Sequence, residues 1–337
     1  MRPKDLCRLA IGLAAVFVFI FLVPQKAAGQ EETSPDLDAE QDLETTARRP
    51  LPRRLEAAFP GSFTRGVDIL WEPRDGWVSQ EVYEWWVSRL EENDVSGVNR
   101  EAAEQMLWRI SGQSPIFSTS RRKQICAVVG ASRNLLESRY GSLIDAHDVV
   151  FRVNRAPTDG FGSDVGEKTT YHVMLPRELG EWEFNREAYL LMTPISAGTT
   201  GVFDRILTLV EDDFQWDIER VRIIHPEFVK YLHEKWTGER MIYPSTGFIA
   251  LMIALHVCDE VNVFGFGADA QGRWDRYYED VPDNVSEFHA PGFEAWLRRE
   301  MEEKGILKVF RGSRPDVGLP TLEDDAVTQD AGGMPAH

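Results

Sequence analysis

A chain of 337 residues, 43% of them hydrophobic, is long enough for one large core or two small ones. Its formal net charge of −18 argues against a nucleic-acid binder, because phosphate recognition along a polymer needs a basic face. A small basic pocket for an anionic ligand is compatible with that balance.

The start is bipartite. Arg2, Lys4 and Arg8 precede an apolar run at 9–23, which Pro24 closes. That run is short for a spanning helix, which usually takes about 20 residues, but a thin early-secretory bilayer tolerates it. We read 1–8 as a cytoplasmic tail and 9–24 as a transmembrane signal-anchor. Ala27-Ala28-Gly29 also suits a signal peptidase, so a cleaved leader stays open. In both cases the rest of the chain enters the secretory lumen. Cys126 and Cys258 then stand in an oxidising compartment, where one disulfide is the economical reading and two buried thiols the alternative.

Residues 25–60 are rich in Glu, Asp, Pro and Arg and read as a flexible stem. Residues 61–312 read as the catalytic domain and 313–337 as a disordered acidic tail. Inside the domain, apolar runs at 124–129, 149–153, 188–192, 221–224, 261–266 and 306–310 predict strands. Stretches at 81–90, 100–110, 201–211, 227–236, 246–256 and 293–302 predict helices. The alternation implies an α/β fold: one Rossmann-like, mostly parallel sheet flanked by helices. Ligands of such sheets sit at the carboxyl ends of the strands. The turn at Gly130 and the turn at 265–269 both follow predicted strands.

Four ordered motifs carry a resemblance. CAVVG, YGSLIDAHDVVFRVNRAPT and GSDVGEKTTYHVM, within 126–176, resemble the long donor-binding motif of the eukaryotic sialyltransferases, glycosyltransferase family 29. YPSTGFIALMIALHVCDEVNVFGFGAD (243–269) is similar to that family's short motif. WDRYYE (274–279) and HAPGFE (289–294) resemble its third and last motifs. HPEFVKYLHEKW (225–236) is most like the β-galactoside α-2,3-sialyltransferases. The resemblance implies a GT-A-like variant fold and transfer of sialic acid from CMP-sialic acid to a galactoside-terminated glycan. It also implies a single-pass type II protein of the Golgi membrane, with a homodimer as a candidate assembly. No metal or other cofactor is expected. Donors with two phosphates usually need a divalent ion on an Asp-x-Asp, and the one such pattern here, Asp36-Leu37-Asp38, lies in the stem.

The resemblance also assigns residues. Ser132, Asn154, Tyr243, Ser245, Thr246, Gly247 and Gly267 match donor contacts, with capping or turn roles as their structural alternatives. His289 is the candidate general base, since a histidine can take the proton of an attacking sugar hydroxyl near neutral pH. Glu294 is a candidate catalytic partner that orients His289 or its loop. Arg276 stands where the family usually has a histidine, and can meet a departing phosphate with a bidentate guanidinium. Two more positions depart from the pattern: Ala131 replaces an Asn, and Leu175 replaces a Tyr near the donor sugar. Those departures keep two other readings open, a different CMP-activated keto-acid sugar as donor and a non-catalytic nucleotide or glycan binder. Asn284 opens a glycosylation sequon, Asn284-Val285-Ser286.

Overall fold

The structure, a computed structural model, describes residues 51–72, 78–91, 115–117, 122–175, 185, 187–194, 217–240, 242–267, 275–279 and 291–312. Seven strands form one sheet: β1 (Ile125–Val129), β2 (Val149–Val153), β3 (Tyr171–Met174), β4 (Tyr189–Met192), β5 (Val221–Ile223), β6 (Glu260–Phe264) and β7 (Lys308–Phe310). Their order is β5-β4-β3-β2-β1-β6-β7, and every neighbouring pair is parallel. Parallel strands are covered on both faces, which is why these runs are almost continuously apolar.

The helices follow in chain order: α1 (Leu51–Ala58), α2 (Gln80–Glu91), α3 (Gly141–Asp145), α4 (Gly162–Val165), α5 (Pro226–Tyr231), α6 (Thr246–Val257) and α7 (Pro291–Glu303). Helix α6 is apolar on every side and nearly all of it is buried. It lies against β1, β2, β3 and β6 and forms the centre of the core. A π turn, Leu232–Trp236, prolongs α5, so the single helix predicted over 227–236 is two elements.

Two expectations change. The stem was drawn to residue 60, but α1 already belongs to the domain. Its Leu51 and Leu55 lie one turn apart, are fully buried, and pack in the same cluster as α6. The segment after it is also tied down. The Tyr231 hydroxyl accepts from the Thr64 amide (3.2 Å) and from Trp236 Nε1 (2.7 Å), and it faces His256 Nε2 at 3.3 Å. The second change is β3, which the sequence reading did not anticipate. The helices expected at 100–110 and 201–211 lie outside the described residues, as do 1–50 and 313–337.

Cys126 and Cys258 are bonded across 132 positions of sequence. Cys126 pairs in register with Val149 of β2 and Val261 of β6, near the amino end of β1. The turns after β1 and β6 leave from the opposite end of the strands. The bridge therefore holds the base of the sheet and does not itself pin those turns together.

Candidate active site

Strand order reverses at β1. The chain leaves β1 for β2 on one side, while β6 and β7 lie on the other. The crevice of such a sheet opens there, beyond the carboxyl ends of the strands. Four turns and the start of α6 meet at this place.

The turns after β1 and β6 touch backbone to backbone. Gly130 N–H donates to Phe264 O (2.8 Å) and Ser132 N–H to Gly265 O (3.0 Å). A Cβ on Gly130 would stand 2.3 Å from Gly265 O. Gly265 itself has a φ of +68°, and a Cβ there would come within 2.4 Å of Leu135 Cδ1. Glycine is required at both positions by close approach. The Phe266 ring then fits between the two elements, about 3.0 Å from where side chains at Gly130 and Gly247 would begin.

Ser132 is the clasp of these turns. Its Oγ donates to Gly267 O (2.7 Å) and accepts from Asn134 N–H (3.2 Å), capping a three-residue turn at Arg133–Leu135. Asn134, which the sequence reading passed over, donates from Nδ2 to Phe266 O (3.2 Å), and its buried Oδ1 has no hydrogen-bond partner among the described residues. The third motif adds on as a short antiparallel bridge. Ser132 pairs with Arg276, Arg133 N–H donates to Asp275 O (2.8 Å), and Tyr277 N–H donates to Ala131 O (2.9 Å). Tyr277 then reaches the turn after β2, where its hydroxyl donates to Pro157 O (2.7 Å).

That turn carries Asn154, held at a φ of +51°, in the left-handed region that Asn tolerates better than most residues. Its N–H donates to Val173 O (2.9 Å) and its carbonyl accepts from His172 Nε2. Burial pushes His172 down to about 4, so the ring is neutral near pH 7 and stays a donor to that carbonyl. Asn154 Oδ1 is buried and has no hydrogen-bond partner among the described residues. Beneath it, Arg152 is 1% exposed and donates to the Val165 and Lys168 carbonyls and to Thr169 Oγ1. Desolvation lowers its pKa to about 10, which leaves it charged.

The start of α6 completes the crevice. Ser245 is its N-cap, with Oγ accepting from Phe248 N–H at 3.1 Å. Glu294, in the first turn of α7, takes both donors of this serine: the amide at 2.8 Å and the hydroxyl at 2.5 Å. Burial of that carboxyl raises its pKa to about 7, although the two Ser245 hydrogen bonds and the Arg298 charge pull the other way. Glu294 thus joins the last motif to the short motif, with its carboxyl on a helix cap. Tyr243 and Thr246 are buried in the core, and Gly247 faces Phe266. Leu175, just past β3, is buried as well.

Arg276 lies at the rim. Its Nη1 donates to the Tyr278 hydroxyl at 3.4 Å and stands 3.7 Å from Glu279 Oε2. His289 and Asn284 lie outside the described residues. Among the described residues, no group of three or more His, Cys, Asp or Glu could hold a metal ion.

The sequence profile of glycosyltransferase family 29 (sialyltransferase) matches residues 74–306. The chain belongs to glycosyltransferase family 29. This sialyltransferase-family chain is 33% identical over 276 residues to the pig CMP-N-acetylneuraminate-beta-galactosamide-alpha-2,3-sialyltransferase 1, a match covering 77% of this chain and 79% of the relative. The rat CMP-N-acetylneuraminate-beta-galactosamide-alpha-2,3-sialyltransferase 2 is 35% identical over 268 residues, covering 76% of each chain. A mammalian sialyltransferase crystallised with Gal-beta-1-3GalNAc-ortho-nitrophenol superposes with a TM-score of 0.65 at 29% identity, covering 79% of this chain and 98% of that one. The long, short and third motifs thus converge on one crevice of the family fold.

Proposed function

We propose that this family 29 enzyme transfers sialic acid from CMP-sialic acid to a terminal β-galactoside of a glycoprotein or glycolipid and forms an α-2,3 linkage. The observation that carries this reading is the convergence of the turns after β1, β2 and β6 with the capped start of α6. A cytidine and a single phosphate need such a crevice, with backbone donors, rather than the glycine-rich cradle of a dinucleotide. The names of the relatives support the donor, the acceptor class and the linkage.

The acceptor hydroxyl is a weak nucleophile at neutral pH. His289 takes its proton as the oxygen attacks the anomeric carbon. The new carbon–oxygen bond forms as the bond to the phosphate oxygen breaks, and CMP leaves with the electron pair. One in-line displacement inverts the anomeric centre. Arg276 meets the charge that grows on the departing phosphate, as a fixed electrostatic partner rather than a proton donor. The N–H groups at the start of α6 face the same charge. Glu294 acts as a positioning residue, holding the cap from which that helix begins. No step calls for a metal. We read the enzyme as a type II protein of the Golgi membrane with its domain in the lumen, a reading that the apolar run at 9–23 supports.

The purified chain, given CMP-sialic acid and a β-galactoside without added metal, should release CMP and yield a product cleaved by an α-2,3-specific sialidase. His289→Ala should lower turnover by two or more orders of magnitude. Absence of transfer to every galactoside tested would overturn the reading. Near-normal turnover of the His289 variant would overturn the base.

A further inference from the structure

Three charged side chains stand in a row at the mouth of the crevice. Arg155 follows Asn154 on the turn after β2, and its Nη1 lies 3.7 Å from Glu279 Oε1. Glu279 Oε2 lies 3.7 Å from Arg276 Nη1. One carboxylate therefore bridges two guanidiniums drawn from two different motifs. The row is part-exposed, with the three side chains 30%, 33% and 23% exposed. Its backbones are fixed, since Arg276 bridges Ser132, and Tyr277 donates to Pro157 O two residues beyond Arg155.

Both contacts are longer than the 2.7–2.9 Å or so of a direct charge-assisted hydrogen bond. Glu279 engages both cations by charge, without the short paired geometry that a planar guanidinium forms with a well-seated oxyanion. Each guanidinium is flanked by a residue already placed in the donor crevice, Asn154 for Arg155 and the bridge to Ser132 for Arg276. Among the described residues, an anion entering beside Asn154 and Ser132 would meet the Arg155 and Arg276 guanidiniums and the Glu279 carboxylate between them.

Resting on the transferase reading above, we propose that Arg155 and Arg276 form a two-guanidinium clamp for the donor phosphate, and that Glu279 is the resident anion which this phosphate displaces. The chemistry gives the clamp a use at each stage. The donor phosphodiester carries one negative charge. Breaking its bond to the sugar leaves a monoester that carries close to two near neutral pH, since its second pKa is about 6. A second guanidinium is thus matched to the charge that appears in the reaction. Glu279, returning to the pair, competes with bound CMP and speeds its release.

The test compares CMP with cytidine, which lacks the phosphate, by calorimetry on the intact enzyme. Arg155→Gln and Arg276→Gln should each weaken CMP about tenfold, about the worth of one charge-assisted hydrogen bond, and leave cytidine unchanged. Glu279→Gln should bind CMP several-fold tighter and show stronger product inhibition. An unchanged ratio of CMP to cytidine affinity in Arg155→Gln, in protein with wild-type melting behaviour, would overturn the clamp. Glu279→Gln weakening CMP as much as the arginine variants would overturn the displacement. Wild-type enzyme that binds neither ligand would instead sink the transferase reading on which the proposal stands.

Discussion

Replacing Glu294 with Gln tests how the last motif reaches the start of α6. The carboxyl accepts both donors of Ser245, and burial raises its pKa from an ordinary value near 4.5 to about 7. Below about pH 4.5 the folded and unfolded chains both hold the proton, and this group carries no penalty. Between about 4.5 and about 7 the unfolded chain ionises while the folded one still holds its proton, so stability falls as pH rises. Above about 7 both are ionised and the penalty is constant. Each unit between the two values is worth about 1.4 kcal/mol, so the full penalty is about 2–3 kcal/mol after allowance for partial exposure. Glu294→Gln keeps the shape and can still accept from the Ser245 amide, but it cannot ionise. Urea denaturation of both proteins from about pH 4.5 to about pH 8 should show wild type losing about 2–3 kcal/mol relative to the variant across that window. Curves that stay parallel, or a gap of opposite sign, would refute the assignment of the buried carboxyl. Glu294→Ala leaves the Ser245 amide and hydroxyl without this partner and should cost about 1–3 kcal/mol per group at any pH.

Three further outcomes follow from the packing. Replacing both Cys126 and Cys258 with Ser opens a loop closed across 132 positions and should cost about 5 kcal/mol by denaturant titration, with CMP affinity within about twofold because the bridge lies far from the crevice. Gly265→Ala forces a side chain into the left-handed region and against Leu135, and should cost about 2–4 kcal/mol and most of the activity, read by melting temperature and turnover. Leu55→Ala in α1 should cost about 2–5 kcal/mol, whereas a stem residue would cost almost nothing.

The sheet was legible where strands are unbroken apolar runs, as in ICAVV and YLLM. Strand β3 was not, because it spans only YHVM and its His172 looks polar. In the fold that histidine is neutral, buried and bonded to the Asn154 carbonyl, a partner 18 positions away. Helix α1 was hidden by its charges: Arg53, Arg54 and Glu56 surround the two buried leucines, and so short an amphipathic stripe reads as linker. At the site, motif order identified the turns but not what their side chains do. Ser132 and Ser245 looked like ligand contacts. Their hydroxyls donate to Gly267 O and to Glu294, partners 135 and 49 positions away, which only the closed fold brings near. Contacts at that separation leave no local periodicity in the chain.

The disulfide also constrains how the protein is made. Both of its sulfurs belong to fully or nearly fully buried residues, one within β1 and one just past the end of α6. An oxidoreductase acts by direct attack on exposed sulfur, so it has access to this pair only before α6 settles over the sheet. Cys258 follows Cys126 by 132 residues, and the partner thiol must wait unburied until that much more chain has been delivered. Oxidation and closure of the core are therefore coupled in time. Protein folded first under reducing conditions should hold two thiols that oxidant added later reaches only through unfolding.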